Sequence, residues 1–228
     1  MILDLNADLG EGGSEDEALL ALATSCNIAC GGHAGSIEIM HRTVELARAA
    51  GVAIGAHPGY EDRKNFGRRE LNLPMQEVVD FVARQVEKLI QITGGNLHHV
   101  KPHGALYHQA SRDSAVAAAF IEGVRKILPH AIIYSFPKSY LSQVAHAAGM
   151  QVMVEGFADR RYNGDGALLP RTQAGAVITE IPAAVAQALA LAQSGTIQTL
   201  CIHGDGLHAV AMLRAIKQAL ADLEIPKL

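Results

Sequence analysis

The chain has 228 residues, enough for one large α/β domain, and its net charge of −4 without a basic run argues against a nucleic-acid-binding surface. Hydrophobic residues make up 49% of the chain and aromatic residues only 4%, so we expect a core of Ala, Val, Leu and Ile, as in parallel strands covered by helices. The chain shows no secretory signal, no apolar run of membrane-spanning length and only three cysteines, so we expect a cytoplasmic protein with neither a membrane contact nor a disulfide framework.

Apolar runs alternate along the chain with segments of helical period. Strands are predicted at residues 2–5, 27–29, 52–54, 98–100, 131–134, 152–154 and 199–202. Helices are predicted at residues 16–24, 36–50, 74–93, 111–128, 141–148, 182–193 and 207–223, with Ser36 as an N-cap and Ser111 at the start of another helix. Residues 61–70 are expected to form a charged loop over a pocket, and residues 162–173 a polar, glycine-rich loop.

This alternation of strands and helices predicts a parallel sheet with right-handed crossover connections. We expect the sheet to close into an irregular seven-stranded β/α barrel that forms a single domain over residues 1–228. An open, doubly wound sheet is the alternative, and the sequence pattern does not separate the two architectures.

Most of the predicted strands end in charged residues or histidine, with glycine close by. The carboxyl ends of parallel strands share one rim of a sheet, so these side chains predict a single pocket. The segment at residues 98–107 is central, because Lys101 and His103 directly follow an apolar strand there. The pocket would hold acids, bases and electrophiles: Asp8, Glu11, His33, His57, Lys101, His103, Glu155, Asp159, Arg160, His203 and Asp205.

The presence of each of these residues also has a structural explanation that involves no catalytic or binding role. Asp8 lies beside Gly10 and would serve equally as a turn residue. Lys101 in a pocket would either hold an anionic substrate or lose its proton and act as a base, whereas at an exposed edge it would do neither. Arg160 and Arg171 would bind a carboxylate through paired hydrogen bonds, and loop salt bridges are the alternative.

A divalent metal site is a minority interpretation of the same residues. His33 and His57 with Asp8 would supply two nitrogens and one oxygen, and His203 with Asp205 would add to them. The chain has no H-x-x-x-H or H-E-x-x-H spacing to support this set. Cys26 and Cys30 would be ligands by spacing alone, but we expect them to pack as small apolar residues.

Several common active-site motifs are missing from the sequence. The chain contains no G-x-x-x-x-G-K-[ST] phosphate loop, no G-x-G-x-x-G dinucleotide fingerprint and no G-x-S-x-G nucleophile elbow. The sequence therefore predicts acid, base and electrostatic chemistry without a dominant nucleophile and without a recognisable nucleotide site.

Taken together, the motifs resemble the LamB/YcsF family, which includes the A component of the prokaryotic 5-oxoprolinase. The resemblance covers nearly the whole chain, and the motifs occur in the family's order. They lie at residues 4–11 (DLNADLGE), 27–35 (NIACGGHAG), 55–60 (GAHPGY), 66–69 (FGRR), 99–107 (HVKPHGALY), 157–160 (FADR) and 203–206 (HGDG).

The resemblance implies an irregular seven-stranded barrel, similar to sugar deacetylases and some glycosidases. It also implies ATP-dependent opening of 5-oxoproline (pyroglutamate) to L-glutamate, together with partner subunits B and C. A lactam is a resonance-stabilised amide whose opening needs activation, and this chain has no phosphate loop. We therefore expect a partner to phosphorylate the lactam oxygen and this chain to add water.

The expected mechanism distributes roles over the strand-end residues. Asp8 or Asp205 would activate water, through His33 or His57, while Lys101 and His103 would stabilise the oxyanion or the leaving group. The substrate would be bound by Glu11, Asp159, Arg160, Arg171 and His203, with Arg160 on its carboxylate. Replacing Lys101 with Ala is expected to abolish turnover with little loss of folding.

Two other functions remain open at this point. A metal-dependent deacetylase of an N-acetylated sugar would use a similar fold and would need a tightly bound divalent ion. A non-catalytic protein that binds a small anion and regulates partner enzymes would use the same pocket without turnover.

Overall fold

The computed structural model describes residues 3–206 and 208–223, where the chain forms a closed barrel of seven parallel strands. The strands follow one another around the barrel in chain order, and the first pairs with the last, with Asp4 beside Thr199 and Asp8 beside His203. The predicted barrel is confirmed, and the open sheet is excluded. The strands are β1 (Asp4–Leu9), β2 (Ser25–Ala29), β3 (Ala53–His57), β4 (His99–Val100), β5 (Ile132–Ser135), β6 (Val152–Phe157) and β7 (Thr199–His203).

Eight α-helices accompany the strands over the described ranges, and a short 3₁₀ turn lies at Arg63–Asn65. None of the described helices combines the length and the apolar character that crossing a bilayer requires. The helices are α1 (Asp16–Leu20), α2 (Ile37–Ala50), α3 (Met75–Thr93), α4 (Gly104–Arg112), α5 (Ser114–Ile127), α6 (Tyr140–Ala147), α7 (Ile181–Gln193) and α8 (Ala209–Ala221).

The two helices with the clearest sequence signals have the predicted ends. Ser36 is the N-cap of α2, and its hydroxyl accepts a hydrogen bond from the Ile39 amide at 3.2 Å. Gly51 ends α2, and Gly94 ends α3, both with positive φ angles of 67° and 65°. Glycine enters this left-handed region without a Cβ clash, which is why these stops were visible in the sequence.

The prediction of one helix beginning at Ser111 is wrong. Two helices occupy this stretch, since α4 begins at Gly104, within the central segment of residues 98–107, and α5 begins at Ser114. Asp113 separates them, because its carboxylate accepts hydrogen bonds from the first amides of α5, at 2.8 Å from Ala115. The Ser111 hydroxyl instead donates to the Tyr107 carbonyl one turn back in α4, at 2.7 Å.

The strands are longer than predicted at their polar ends. β1 continues to Leu9 and β6 to Phe157, so Asp8 and Glu155 belong to strands and not to the loops after them. The predicted first strand and last helix also include Ile2 and Leu207, which lie outside the described residues.

The apolar core lies between the strands and the helices. Outward-facing strand residues such as Ile28, Val100 and Ile202 are fully buried there against helical side chains. Such burial contributes roughly 25 cal/mol per Å² of apolar surface. Cys26 and Cys30 are free thiols in this layer, as expected of small apolar residues, and burial raises the pKa of Cys30 to about 12.

Candidate active site

Polar side chains fill the inside of the barrel, because alternate residues of each strand point inward. On β1 these residues are Asp4, Asn6 and Asp8. Asn6 donates to Glu155 across the barrel at 3.0 Å and accepts from Asn27 on β2 at 2.7 Å. Below them, Asp4 accepts hydrogen bonds from the hydroxyls of Thr24, Ser25, Tyr134 and Thr199. Buried polar groups are tolerated when they are paired in this way.

Lys101 lies at the centre of this network and is 1% exposed. Its ammonium nitrogen is 2.9 Å from Asp8 Oδ1, 2.8 Å from Glu155 Oε1, 3.2 Å from Asn6 Oδ1 and 3.0 Å from the Cys201 sulfur. Burial alone would lower the pKa of Lys101, but the Asp8 carboxylate beside it, with Cys201 and Glu155, raises that pKa well above its usual value. The geometry thus favours a fixed positive charge over a proton acceptor.

Asp8 presents one oxygen to the network and the other to the open end of the barrel. Oδ1 accepts from Lys101 and from the Asn27 amide at 2.8 Å. Oδ2 lies 3.5 Å from His57 Nε2 and 4.0 Å from His203 Nε2. Burial would raise the pKa of Asp8, but Lys101 and His57 hold it well below its usual value, so the carboxyl group is ionised.

His203 is held by Asp159. Both oxygens of the buried Asp159 carboxylate face it, one accepting from the His203 backbone amide at 3.0 Å and from Nδ1 at 2.9 Å. Because a carboxylate only accepts, the proton of a neutral His203 ring is assigned to Nδ1, and Nε2 turns towards Asp8 with a lone pair. Asp159 therefore fixes the orientation of the His203 ring, whereas the sequence suggests a contact between Asp159 and substrate.

A second cluster lies beside Asp8 and consists of Glu11, His33, His57 and His103. One possible metal-ligand atom from each residue lies within 4.8 Å of the others. Glu11 Oε1 is 3.0 Å from His33 Nε2 and 3.4 Å from His103 Nδ1. Burial lowers the pKa of His33 to about 3, although the neighbouring Glu11 raises it. The His33 and His103 rings are stacked with centroids 3.6 Å apart.

Two glycines make room for this histidine stack. A Cβ on Gly59 would lie 2.8 Å from His33 Nδ1, and one on Gly67 would lie 2.7 Å from the His33 Cβ. Gly67 also has a φ of +61°, which side chains rarely adopt. The predicted loop at residues 61–70 thus passes over the pocket, and the carbonyl of Phe66 accepts a hydrogen bond from His103 Nε2 at 2.9 Å.

Arg160 is a buried guanidinium without a carboxylate partner among the described residues. One terminal nitrogen of the Arg160 side chain donates to the Leu169 carbonyl at 2.6 Å. The Arg160 Nε has no hydrogen-bond partner within the described part of the chain. Burial and the nearby Arg171 lower its pKa to about 10, which still leaves it charged at neutral pH. A buried charge with no carboxylate at salt-bridge distance is costly, which sets Arg160 apart from Arg68 and Arg171, both paired with Asp205.

These groups open onto one cleft of about 510 Å³ at the carboxyl end of the barrel. Asp205 does not line this cleft, but it pairs with Arg68 and Arg171, which do. Glu11 and His33 do not line the cleft, although His33 stacks on His103, which does. The predicted residues that line the cleft are Asp8, His57, Lys101, His103, Arg160, Arg171 and His203.

Apart from Asp8, the interior partners of Lys101 were not predicted from the sequence. Asn6, Asn27, Tyr107 and Cys201 were given no role, and Glu155 was noted only as a strand-end residue. The Tyr107 hydroxyl donates to Glu155 Oε2 at 2.9 Å, which completes the pairing of that carboxylate. Polar residues at every second position of β1 were the signal that would have shown an inward-facing polar row.

A model of the LamB/YcsF family matches residues 3–227 of the chain, which confirms the resemblance. Among solved structures, the lactam utilization protein of Thermus thermophilus is 38% identical, with a TM-score of 0.89 over 97% of each chain.

More distant structures share the fold alone. A family 4 carbohydrate esterase from Streptomyces lividans is 14% identical, with a TM-score of 0.52 over 96% of this chain and 88% of that one. The catalytic domain of a peptidoglycan N-acetylglucosamine deacetylase from Eubacterium rectale is 13% identical, with a TM-score of 0.53 over 96% of this chain and 83% of the other.

Proposed function

Because the chain belongs to the LamB/YcsF family, we propose that it hydrolyses the ring amide of a lactam that carries a carboxylate. The specific substrate is 5-oxoproline, which becomes L-glutamate. The name of the similar Thermus protein, a lactam utilization protein, supports this class of substrate. The chain acts as the A component of an ATP-dependent 5-oxoprolinase with partner subunits B and C.

The observation that carries the proposal is the unpaired Arg160. Its guanidinium lies in the wall of the cleft, and no carboxylate of the described residues forms a salt bridge with it. 5-Oxoproline carries one carboxylate next to its ring, and a guanidinium binds a carboxylate through two parallel hydrogen bonds. Arg171, also in the cleft wall, adds positive charge to the same region.

The floor of the cleft supplies the groups for adding water to the ring carbon. Asp8 Oδ2 and His203 Nε2 face one another at 4.0 Å, and water between them would lose its proton to His203. Asp159 holds the His203 ring in this orientation. The Lys101 ammonium lies behind Asp8, 2.9 Å from Oδ1, and keeps that carboxylate ionised beside the attacking water.

ATP enters the reaction through the partner subunits, since this sequence contains no phosphate loop. Transfer of the γ-phosphoryl group to the lactam oxygen releases ADP and makes the ring carbon electrophilic. Water adds to that carbon, the C–N bond breaks with its electron pair going to nitrogen, and nitrogen takes up a proton. A second water then releases phosphate from the resulting acyl phosphate, which leaves glutamate.

An N-acetylated sugar fits the cleft less well than a carboxylated lactam. Such a substrate is uncharged, so Arg160 would stay buried without a counter-ion. The likeness to carbohydrate deacetylases concerns the fold alone, and a shared fold does not transfer a substrate.

The test is glutamate release from 5-oxoproline and ATP, measured with this chain alone and with subunits B and C added. We expect glutamate only in the full mixture. Arg160→Met should then lower kcat/KM by about 10- to 100-fold, the size of one charged hydrogen-bonded contact. Arg161→Met is the matched control, because Arg161 is the neighbouring arginine and is exposed.

Each result has a definite meaning. Glutamate from the chain alone would contradict the assignment of ATP to the partners. No glutamate in the full mixture would contradict the 5-oxoproline assignment. Equal kcat/KM values for the Arg160 and Arg161 variants would show that Arg160 does not bind the substrate carboxylate.

A further inference from the structure

We propose that Glu11, His57 and His103 bind one divalent cation of zinc-like preference at the carboxyl end of the barrel, with His33 positioning Glu11. This site goes beyond the proposed function and does not depend on it. It also differs from the ligand set suggested by the sequence, in which Asp8 supplied the oxygen.

The backbone determines which nitrogen of each ring carries a proton. His57 Nδ1 lies 2.8 Å from the Lys101 carbonyl, and His103 Nε2 lies 2.9 Å from the Phe66 carbonyl. A carbonyl oxygen only accepts, so each of these nitrogens donates. In the neutral rings, His57 Nε2 and His103 Nδ1 are therefore left with lone pairs.

These two lone-pair nitrogens face each other at 3.0 Å. Glu11 Oε1 lies 3.4 Å from His103 Nδ1 and 4.0 Å from His57 Nε2. Three electron-rich atoms thus converge with no donor between them, while His57 and His103 are only 1% and 5% exposed. Such an arrangement is unfavourable unless a cation or an additional proton lies among the three atoms.

The spacing suits a metal ion of zinc size. Metal–nitrogen and metal–oxygen bonds of about 2.0–2.1 Å in a tetrahedron separate neighbouring ligand atoms by about 3.3 Å. The three distances here are 3.0, 3.4 and 4.0 Å, so small side-chain movements would complete the set. Metal-binding histidines commonly donate their other N–H to a backbone carbonyl, as His57 and His103 both do.

His33 supports the site without being the third histidine ligand. Its Nε2 is 3.0 Å from Glu11 Oε1, so it donates to the carboxylate and holds it towards the other two rings. The His33 ring is stacked on the His103 ring, with an interplanar angle of 1° and centroids 3.6 Å apart. Because an ion bound by His103 would lie in the plane of the His103 ring, the His33 nitrogens would point past that ion and not at it. A hydrogen bond to a ligating carboxylate is a usual feature of metal sites.

The fourth position of the proposed ion faces the cleft. Asp8 Oδ2 is 3.5 Å from His57 Nε2 on that side, and both residues line the cleft. When bound, an ion here would supply Lewis-acid activation of a carbonyl oxygen or of water. Two imidazoles with one carboxylate favour Zn²⁺ or Co²⁺ over Mg²⁺, which prefers oxygen ligands.

The test measures binding directly. The purified chain is stripped with a chelator and titrated with Zn²⁺ by calorimetry and with Co²⁺ by visible absorption. We expect one ion per chain, with affinity at least 100-fold lower in His57→Ala and in Glu11→Gln. His33→Ala should lower affinity about 10- to 100-fold, the usual effect of losing a residue that orients a ligand. His108→Ala is the matched control, because His108 lines the same cleft outside the cluster.

Glu11→Gln replaces one carboxylate oxygen with nitrogen and keeps the size of the side chain. A loss of metal affinity in this variant is therefore not explained by misfolding. Circular dichroism should show the same secondary structure for it as for the parent chain. The proposal fails if the parent chain binds no ion, which would mean that a proton shared by His57 and His103 fills the cluster. It also fails if the Glu11 and His57 variants bind as tightly as the His108 variant.

Discussion

At the scale of one residue, the buried positive charge of Lys101 contributes to the stability of the fold as well as to the candidate site. Its ammonium is enclosed by Asp8, Glu155, Asn6 and Cys201, and among the described residues it supplies the only lysine or arginine salt bridges to the two carboxylates. The sequence suggested that its loss would affect turnover with little effect on folding. The contacts indicate instead that both would suffer, because two buried carboxylates would lose their counter-ion.

We therefore predict that Lys101→Met lowers the free energy of unfolding by about 3–5 kcal/mol as well as abolishing activity. Lys88→Met is the control, since Lys88 is exposed on α3, and it should change stability by less than about 0.5 kcal/mol. Urea unfolding followed by circular dichroism measures both variants. Equal stability of the two would show that the buried ion pairs contribute nothing to the fold.

At the scale of elements, the contact of β3 with β4 depends on one glycine. β4 is two residues long, and the His99 ring on it lies across Gly55 of β3. A Cβ on Gly55 would come 2.1 Å from His99 Nε2. That nitrogen lies 2.7 Å from Asn27 Oδ1 on β2, so the ring also connects a third strand.

Gly55→Ala should consequently lower the free energy of unfolding by about 1–3 kcal/mol, the usual cost of overpacking a core. Gly164→Ala is the control, because a Cβ there would meet nothing within 4 Å and its φ is not in the left-handed region. Chemical denaturation compares them. A Gly55 variant as stable as the Gly164 variant would mean that the His99 ring moves away without cost.

The elements also show which sequence signals are local. The ends of α2 and α3 were predicted because a cap and a left-handed glycine act within a few residues. The division between α4 and α5 was missed because Ser111 and Asp113 are both good cap residues. Which of the two residues caps α5 depends on where α4 begins and ends, and α4 begins at Gly104 in the tertiary structure.

At the scale of the whole molecule, the barrel encloses ionised carboxylates. Burial would raise the pKa of Asp159, but the neighbouring His203 lowers it below its usual value. The pKa values of Asp8 and Glu11 are likewise lowered. A carboxyl group whose pKa is lower in the folded than in the unfolded chain stabilises the fold above its unfolded pKa of about 4.

We thus predict that the barrel loses stability in acid, as the pH falls from about 4 through the lowered pKa of Asp159. Asp159→Asn removes this group, so its free energy of unfolding should depend less on pH between about 5 and 3 than that of the parent chain. Asp165→Asn, at an exposed loop position, is the control and should keep the parent slope. Urea titrations at stepped pH measure the slopes, and equal slopes for the parent and Asp159 variants would contradict the prediction.

The sequence by itself determined the class of fold, the family and seven of the twenty residues that line the cleft. Strands that alternate with helices predict a parallel sheet whose apolar face is covered by those helices. The parallel strands then bring their carboxyl ends to one rim of the sheet. Motif residues such as His57, Lys101 and His203 therefore lie together, as expected.

Only the tertiary structure decided how those residues are paired. Barrel closure brings β1 beside β7 and directs Asn6, Glu155 and Cys201 at Lys101, through contacts between residues 54 to 100 positions apart in the chain. The same closure leaves Arg160 without a counter-ion among the described residues and directs two histidine lone pairs at each other. Local sequence patterns carry no information on such distances, because side chains far apart in the chain meet only once the sheet has curved into a closed barrel.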